Sequence, residues 1–375
     1  MLGLSWECSL MKKILILANN DVGLYKFRKE LISELTKKYK VYISLPNGDL
    51  VPELEKLGCE FIETPISRRG TNPITDLKVL WRYKKIIKST NPDVVLTYTI
   101  KPNVYGGIMS RISKVPYISN ITGLGSAVEN GGILQKVTLT LYKLSLKKAH
   151  CVFFQNKENE KFLSSNISID NKRLIPGSGV NLEEYSLLDY PKSKEIHFLF
   201  IARVMKEKGI DQYLEAAEYI KKKHSNTVFN ILGSCEEEYE EKLREMNNKG
   251  IIRYHGMQKD VQKYLRTSHC TIHPTYYPEG MSNVLLESAA SGRPVITTNR
   301  SGCREIVDDN ENGFIVVQQD SKDLIHKIEK FISLSYESQK TMGIYGRKKV
   351  EKEFDRNIVV ATYINEIEKI NKSIS

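Results

Sequence analysis

From Lys13 onward the chain alternates short apolar runs with amphipathic stretches, and it does so in two series. The runs Lys13–Ala18, Val41–Ser44, Glu60–Ile62, Val94–Tyr98, Tyr117–Asn120, Cys151–Phe154 and Leu174–Pro176 have strand length. Stretches of helical period lie between them, among them Tyr25–Lys38, Pro73–Lys88 and Ile133–Lys148. This rhythm predicts an α/β domain with a mostly parallel sheet and helices on both faces. The polar stretch Asn181 to Lys194 breaks it. A second series then begins, with strands at Ile196–Ile201, Thr227–Leu232, Ile251–Tyr254, Cys270–His273, Val295–Thr298 and Phe314–Val316. Its helices include Gly209–Lys223, Glu238–Asn247, Val261–Thr267 and Ser282–Ser291, and Lys322 to Lys372 reads as almost wholly helical. At 375 residues the chain has room for two doubly wound, Rossmann-like domains. They are expected at residues 11–185 and 195–355, with a last helix at 356–375. Ligands of such sheets bind outside the carboxyl ends of the strands, so two of them facing one another would share a cleft.

Composition narrows the class. Apolar residues make up 41% and charged residues 27%, as in a soluble globular protein. No apolar run reaches the length of a membrane span. Met1 to Leu10 lacks the charged start and clean cleavage site of a secretory signal. Six scattered cysteines without a C-x-x-C pair argue against a zinc site or a disulfide framework, and suggest a reducing cytoplasm. Charge is uneven: 27 Lys+Arg against 17 Asp+Glu up to Leu187, but 29 against 28 beyond it. The basic half implies an anionic partner, either a diphosphate-bearing substrate or an acidic lipid surface. No helix-turn-helix, zinc-finger or RNP signature points to nucleic acid.

The segment from Pro278 to Ile296 carries the chemistry. Glu279 lies in the loop before a helix and Glu287 about two turns inside it, with Gly280 and Glu287 roughly 10 Å apart along the axis. Between them Gly280, Met281, Ser282 and Asn283 offer free backbone N–H groups that favour an anion. A diphosphate resting there, with one carboxylate beside each flanking sugar, suits a sugar nucleotide. Upstream, Arg203 leaves a strand and Lys208 opens a helix five residues later, so both can converge on one diphosphate. Gly233 and Gly256 stand in strand-to-loop turns that allow backbone to approach a ligand.

The context E-G-x-S-N-x-x-L-E-x-x-A-x-G-x-P-V-I resembles the E-x7-E signature of retaining glycosyltransferases of family four, which have the GT-B fold. The resemblance implies that Glu279 contacts the transferred sugar, Glu287 the ribose, and Arg203 and Lys208 the diphosphate. It implies metal independence, no cofactor beyond the nucleotide-sugar substrate (UDP-linked by expectation), and a last helix that crosses back to the first domain. It also implies that the loop after His255 and Gly256 reads the base. His273 stands where that family usually has a small or apolar residue, and is read as structural.

On the first half, Asn20, Asp21 and Gly23 follow the first strand without the G-x-G-x-x-G of a nicotinamide site, and are placed to meet an acceptor. Lys101 and Asn103 stand between a strand and a helix, where a Lys suits a phosphate. That stretch resembles bacterial transferases that extend undecaprenyl-diphosphate-linked saccharides for capsule, O-antigen or glycan assembly. Thr122 and Gly123 follow the next strand. Ile100 and Thr122 occupy positions where the resembled proteins commonly have His, which removes an obvious general base. The resemblance supplies a base-free route, in which the leaving phosphate accepts the acceptor's proton. Ile133, Val137, Leu141 and Leu144 form one face of a basic helix with Lys136, Lys143, Lys147 and Lys148 outside it, and Arg68, Arg69, Arg111 and Lys114 add charge. The face either turns to the core or touches an anionic leaflet, which would make the protein peripheral on the inner face of the plasma membrane. The expected function is transfer of a hexose or N-acetylhexosamine to a lipid-diphosphate-linked saccharide. A UDP-sugar 2-epimerase of the same fold and a non-catalytic nucleotide-sugar-binding protein are the alternatives.

Overall fold

The computed structural model describes residues 11–66, 73–125, 128 and 131–374, so Cys8, Arg68, Arg69 and the Met1 to Leu10 stretch lie outside the described residues. The chain divides into two compact units, one of residues 1–178 with 356–375 and one of residues 179–355.

Among the described residues the first unit holds seven strands, β1 (Lys13–Leu17), β2 (Lys40–Leu45), β3 (Cys59–Glu63), β4 (Val94–Tyr98), β5 (Tyr117–Ile121), β6 (Cys151–Phe154) and β7 (Lys172–Leu174). All pair in parallel, in the order β3-β2-β1-β4-β5-β6-β7. Helices cover both faces, so the central strands are apolar throughout rather than alternating. In β1, Ile14 and Ile16 enter the core on one side, Leu15 and Leu17 the core on the other. The last helix, Arg356–Ile374, belongs to this unit. Val359, Val360, Tyr363, Ile367 and Ile370 fill the first core, and the Tyr363 hydroxyl accepts a hydrogen bond from Asn120 at 2.6 Å. Arg356 pairs with Glu30 at 2.8 Å.

The second unit repeats the plan with β8 (Ile196–Ile201), β9 (Thr227–Leu232), β10 (Arg253–Tyr254), β11 (Cys270–His273), β12 (Val295–Thr298) and β13 (Gly313–Val316). Its order is β10-β9-β8-β11-β12-β13, again all parallel. In each unit the strand order reverses beside the first strand, between β1 and β4 and between β8 and β11. Those are the switch points at which open sheets of this kind leave a crevice.

Three local readings change. The run expected at Leu174–Pro176 forms its strand slightly earlier, at the exposed sheet edge, while Ile175 turns into the core. Val180 belongs to the second unit: it bridges to Asp355, its N–H donates to Phe354, and it packs beside Leu285. The polar stretch after it is also fastened to that unit. Fully buried Arg293 donates to the carbonyls of Leu265 and Asp189, both at 2.7 Å. In the helix Gly132–Leu146, Thr138, Tyr142, Ser145 and Leu146 face inward, while Ile133, Val137 and Leu144 are exposed. Tyr142 and Leu146 enter the core, with Leu141 packed beside it, and Ser145 sits against Gly107, where a Cβ would fall 3.0 Å from the Ser145 carbonyl oxygen.

Candidate functional site

Arg203 and Lys208 leave the carboxyl end of β8, and Glu279 leaves that of β11, the two strands that meet at the second unit's switch point. The loops after them are stitched together. The Glu207 carbonyl accepts the N–H groups of Tyr276 and Tyr277, both at 2.9 Å, and the Thr275 hydroxyl at 3.2 Å. Gly209 adopts φ +76, and a Cβ there would collide with the Pro274 carbonyl, so only glycine lets the chains pass. The outcome is an ion pair between the Lys208 ammonium and Glu279, both largely buried, with Lys208 also 4.7 Å from the centre of the Tyr277 ring. Arg203 is more exposed and lies 3.5 Å from Glu236.

The helix Asn283–Ala290 begins three residues after Gly280, with Ser282 at its cap in an extended conformation and its hydroxyl capping nothing. Its first N–H groups therefore face outward from the helix end without intrahelical partners. Met281 packs below, against Leu285 and Cys303. Glu287 is half-buried on the same helix. Gly233 passes so close to Ala202 that no side chain fits, and its N–H donates to the Gly256 carbonyl at 2.9 Å. Gly256 itself has φ +66 and open space where a Cβ would stand. The His255 ring is held by Asn230 at 3.0 Å and packs on Tyr264, and burial lowers its pKa.

One support was not foreseen from the sequence. The loop after β12 buttresses the Glu279 turn. Gly302, at φ +88, accepts from the Ser282 N–H at 2.8 Å, and a Cβ on it would stand 2.7 Å from the Gly280 carbonyl oxygen. Glu305 fixes this loop by accepting from the Gly302 N–H at 2.7 Å and the Ser301 hydroxyl at 3.0 Å. The only local signal was a Ser-Gly pair followed by an acid, which many turns share.

In the first unit the acceptor candidates divide. Lys101 leaves β4 and pairs with Asp76 at 2.6 Å, both mostly buried. Before it, Thr99 holds φ +71, rare for a branched residue, and its hydroxyl is buried without a partner. After it, Pro102–Gly106 forms a π-helical turn, a rare form often found at functional positions. Thr122 and Gly123 leave the neighbouring strand β5, with Gly123 at φ +145. The remaining candidates serve the fold. Asn103 is fully buried and binds Thr97 and the Asn120 carbonyl. Asn20 caps the helix Asp21–Thr36 by accepting from the Gly23 N–H at 2.6 Å, and a Cβ on Gly23 would press on Asn20. Asp21 is buried under Gly48 and accepts from the Leu50 N–H at 2.8 Å. A short polar residue after a first strand is as useful for capping as for binding, and Asn20 caps here.

Among the described residues no three His, Cys, Asp or Glu side chains converge as a metal-binding group.

Comparison with known proteins places both units. The profile of the group 1 glycosyl transferases matches residues 189–349, and that of the glycosyl transferase 4-like proteins matches residues 13–156. The N,N'-diacetylbacillosaminyl-diphospho-undecaprenol alpha-1,3-N-acetylgalactosaminyltransferase of Campylobacter jejuni is 26% identical, over 96% of this chain and 100% of that protein. The UDP-Gal:alpha-D-GlcNAc-diphosphoundecaprenol alpha-1,3-galactosyltransferase of Escherichia coli is 26% identical over 70% of this chain and 72% of its own. Among solved structures, a glycosyltransferase from Rickettsia africae superimposes with a TM-score of 0.79 at 21% identity, covering 97% of this chain and 99% of the other. HepE from Anabaena in complex with UDP does so with 0.78 at 15% identity, covering 96% and 100%. With one glycosyl transferase profile on each Rossmann-like domain and these superpositions, the chain is a glycosyltransferase of GT-B fold, matching the group 1 glycosyl transferases in its second domain and the glycosyl transferase 4-like proteins in its first.

Proposed function

We propose that this chain moves a hexose or N-acetylhexosamine from a UDP-sugar to a saccharide carried on a lipid diphosphate, with retention of configuration and without a metal. The observation that carries the reading is the Lys208–Glu279 pair, with Arg203 beside it on the same strand end. Without donor the two charges satisfy each other. An arriving diphosphate offers Lys208 and Arg203 a stronger set of oxygens, bidentate for the guanidinium, and frees Glu279 for the sugar hydroxyls. Gly280, Met281, Ser282 and Asn283 take part of the diphosphate on their N–H groups, Glu287 holds the ribose, and Gly233 and Gly256 leave room for the nucleotide. Breaking the sugar–phosphate bond builds charge on the leaving diphosphate, and fixed donors aimed there lower the barrier by about 3 kcal/mol each. The leaving phosphate takes the acceptor's proton.

On the acceptor side Lys101, released from Asp76, binds the lipid diphosphate, with Thr122 and Gly123 at the neighbouring strand end. The names of the Campylobacter and Escherichia relatives, each an undecaprenyl-diphosphate saccharide transferase, support this substrate class. Among the described residues no helix is long and apolar enough to cross a membrane. Contact with lipid falls instead to three neighbouring helices that expose Trp81, Ile112 and, most of all, Ile133 at 82%. The enzyme works on the cytoplasmic leaflet.

Two variants test the reading. Glu279→Ala abolishes transfer while the melting temperature stays near that of wild type, and Lys208→Ala weakens donor binding and turnover together. A panel of nucleotide sugars with lipid-linked acceptors, read by product mass, gives the rates, and wild-type rates in either variant remove that residue from the site.

A further inference from the structure

His273 closes β11 and is 2% exposed, yet neither of its ring nitrogens has a hydrogen-bond partner. Cys270 and Ile272 enter the core on one face of the sheet, so Thr271 and His273 face the other. Their strand partners there are Val295 and Thr297, and Val295 packs with Met281, Leu285 and Cys303. The imidazole thus lies beneath the turn that carries Glu279 into its helix, where the Asn283 side-chain oxygen is also buried and unpaired. The next residue, Pro274, is pressed against Gly209, the neighbour of Lys208. Burial first, and the Lys208 ammonium second, push the ring's pKa down to about 3, so it is neutral. A buried ring with two idle nitrogens destabilises the fold, and a leucine there would carry no such penalty.

We propose that His273 is a positioning residue of the donor half-site, a neutral ring whose nitrogens gain partners when a donor diphosphate draws Lys208 off Glu279. One nitrogen accepts and the other donates, so the ring fixes the rearranged turn in its donor-bound form. The inference rests on the donor reading above.

The test uses the full chain with UDP as the probe. Melting temperature is measured with and without UDP, and UDP affinity by calorimetry, for wild type, H273L and H273Q. H273L melts at or above wild type without UDP but binds UDP at least tenfold more weakly. H273Q, whose amide both donates and accepts, recovers part of that affinity. H273M gives the same comparison if the branching of leucine disturbs the strand. Wild-type UDP affinity in the apolar variants, or a lowered melting temperature with UDP affinity intact, overturns the proposal and makes the ring simple packing. A wild-type chain that does not bind UDP overturns the donor reading itself, and this inference with it.

Discussion

At the scale of single residues the candidate donor half-site rests on positions where only glycine fits. Gly302 combines a left-handed backbone with a close approach to both Gly280 and Glu279. Gly302→Ala adds about 1–2 kcal/mol of backbone strain and pushes the Glu279 turn away from its place. Chemical denaturation should show that modest loss, while turnover falls far more than stability; equal losses in both would mean the loop only supports the fold. The candidate acids and cations were visible in the sequence through their spacing along strand ends, and the structure pairs Lys208 with Glu279. Gly302 and Glu305 were not, since their roles depend on which loop lies beside which. On the acceptor side, Asn20, Asp21 and Asn103 have the residue types for binding, and the structure adds what the sequence did not show, their hydrogen bonds at a helix start and a buried strand end.

At the scale of elements the buried strands formed where expected, because buried parallel strands announce themselves as continuous apolar runs, whereas the exposed edge strand Lys172–Leu174 lies ahead of the apolar run at Leu174–Pro176. What such runs do not announce is how a polar connection is held. The stretch around Leu188 and Asp189 is fixed by the Arg293 guanidinium, which reaches separate carbonyls at once. Arg293→Lys keeps the charge but offers a single donor point, and it leaves at least one buried carbonyl unpaired. We expect a loss of about 2–3 kcal/mol by denaturant unfolding, with UDP affinity retained. A change below about 0.5 kcal/mol would show that the stretch is secured elsewhere. The helix Gly132–Leu146 teaches a related lesson. Its apolar stripe was visible, but the side turned inward is the one on which Tyr142 and Leu146 fill the core and Ser145 lies close to Gly107.

At the scale of the whole molecule, the basic excess of the first half coincides with the exposed apolar side chains of the helices Pro73–Thr90, Gly107–Ile112 and Gly132–Leu146. On Pro73–Thr90 the Lys84 ammonium lies 4.8 Å from the Trp81 ring centre, a pairing suited to a lipid headgroup boundary. Ile133→Glu combined with Val137→Glu should reduce binding to vesicles containing anionic lipid at least tenfold, measured by sedimentation, and leave binding of UDP unchanged. Added salt should weaken the wild-type association, since each basic residue near such a surface contributes about 1 kcal/mol. Vesicle binding unaffected by both changes would overturn the assignment of a lipid contact to these helices.

The placement of Arg356–Ile374 in the first unit has a consequence for how the chain is born. Residues 179–355 emerge from the ribosome as one unbroken piece and can fold as soon as they are free. The first sheet, although translated earlier, must wait for Tyr363 to cover Phe153 and Tyr98, and for Ile367 and Ile370 to fill the same core. The half made first is thus the half finished last, and in the interval its apolar surface is open to chaperones.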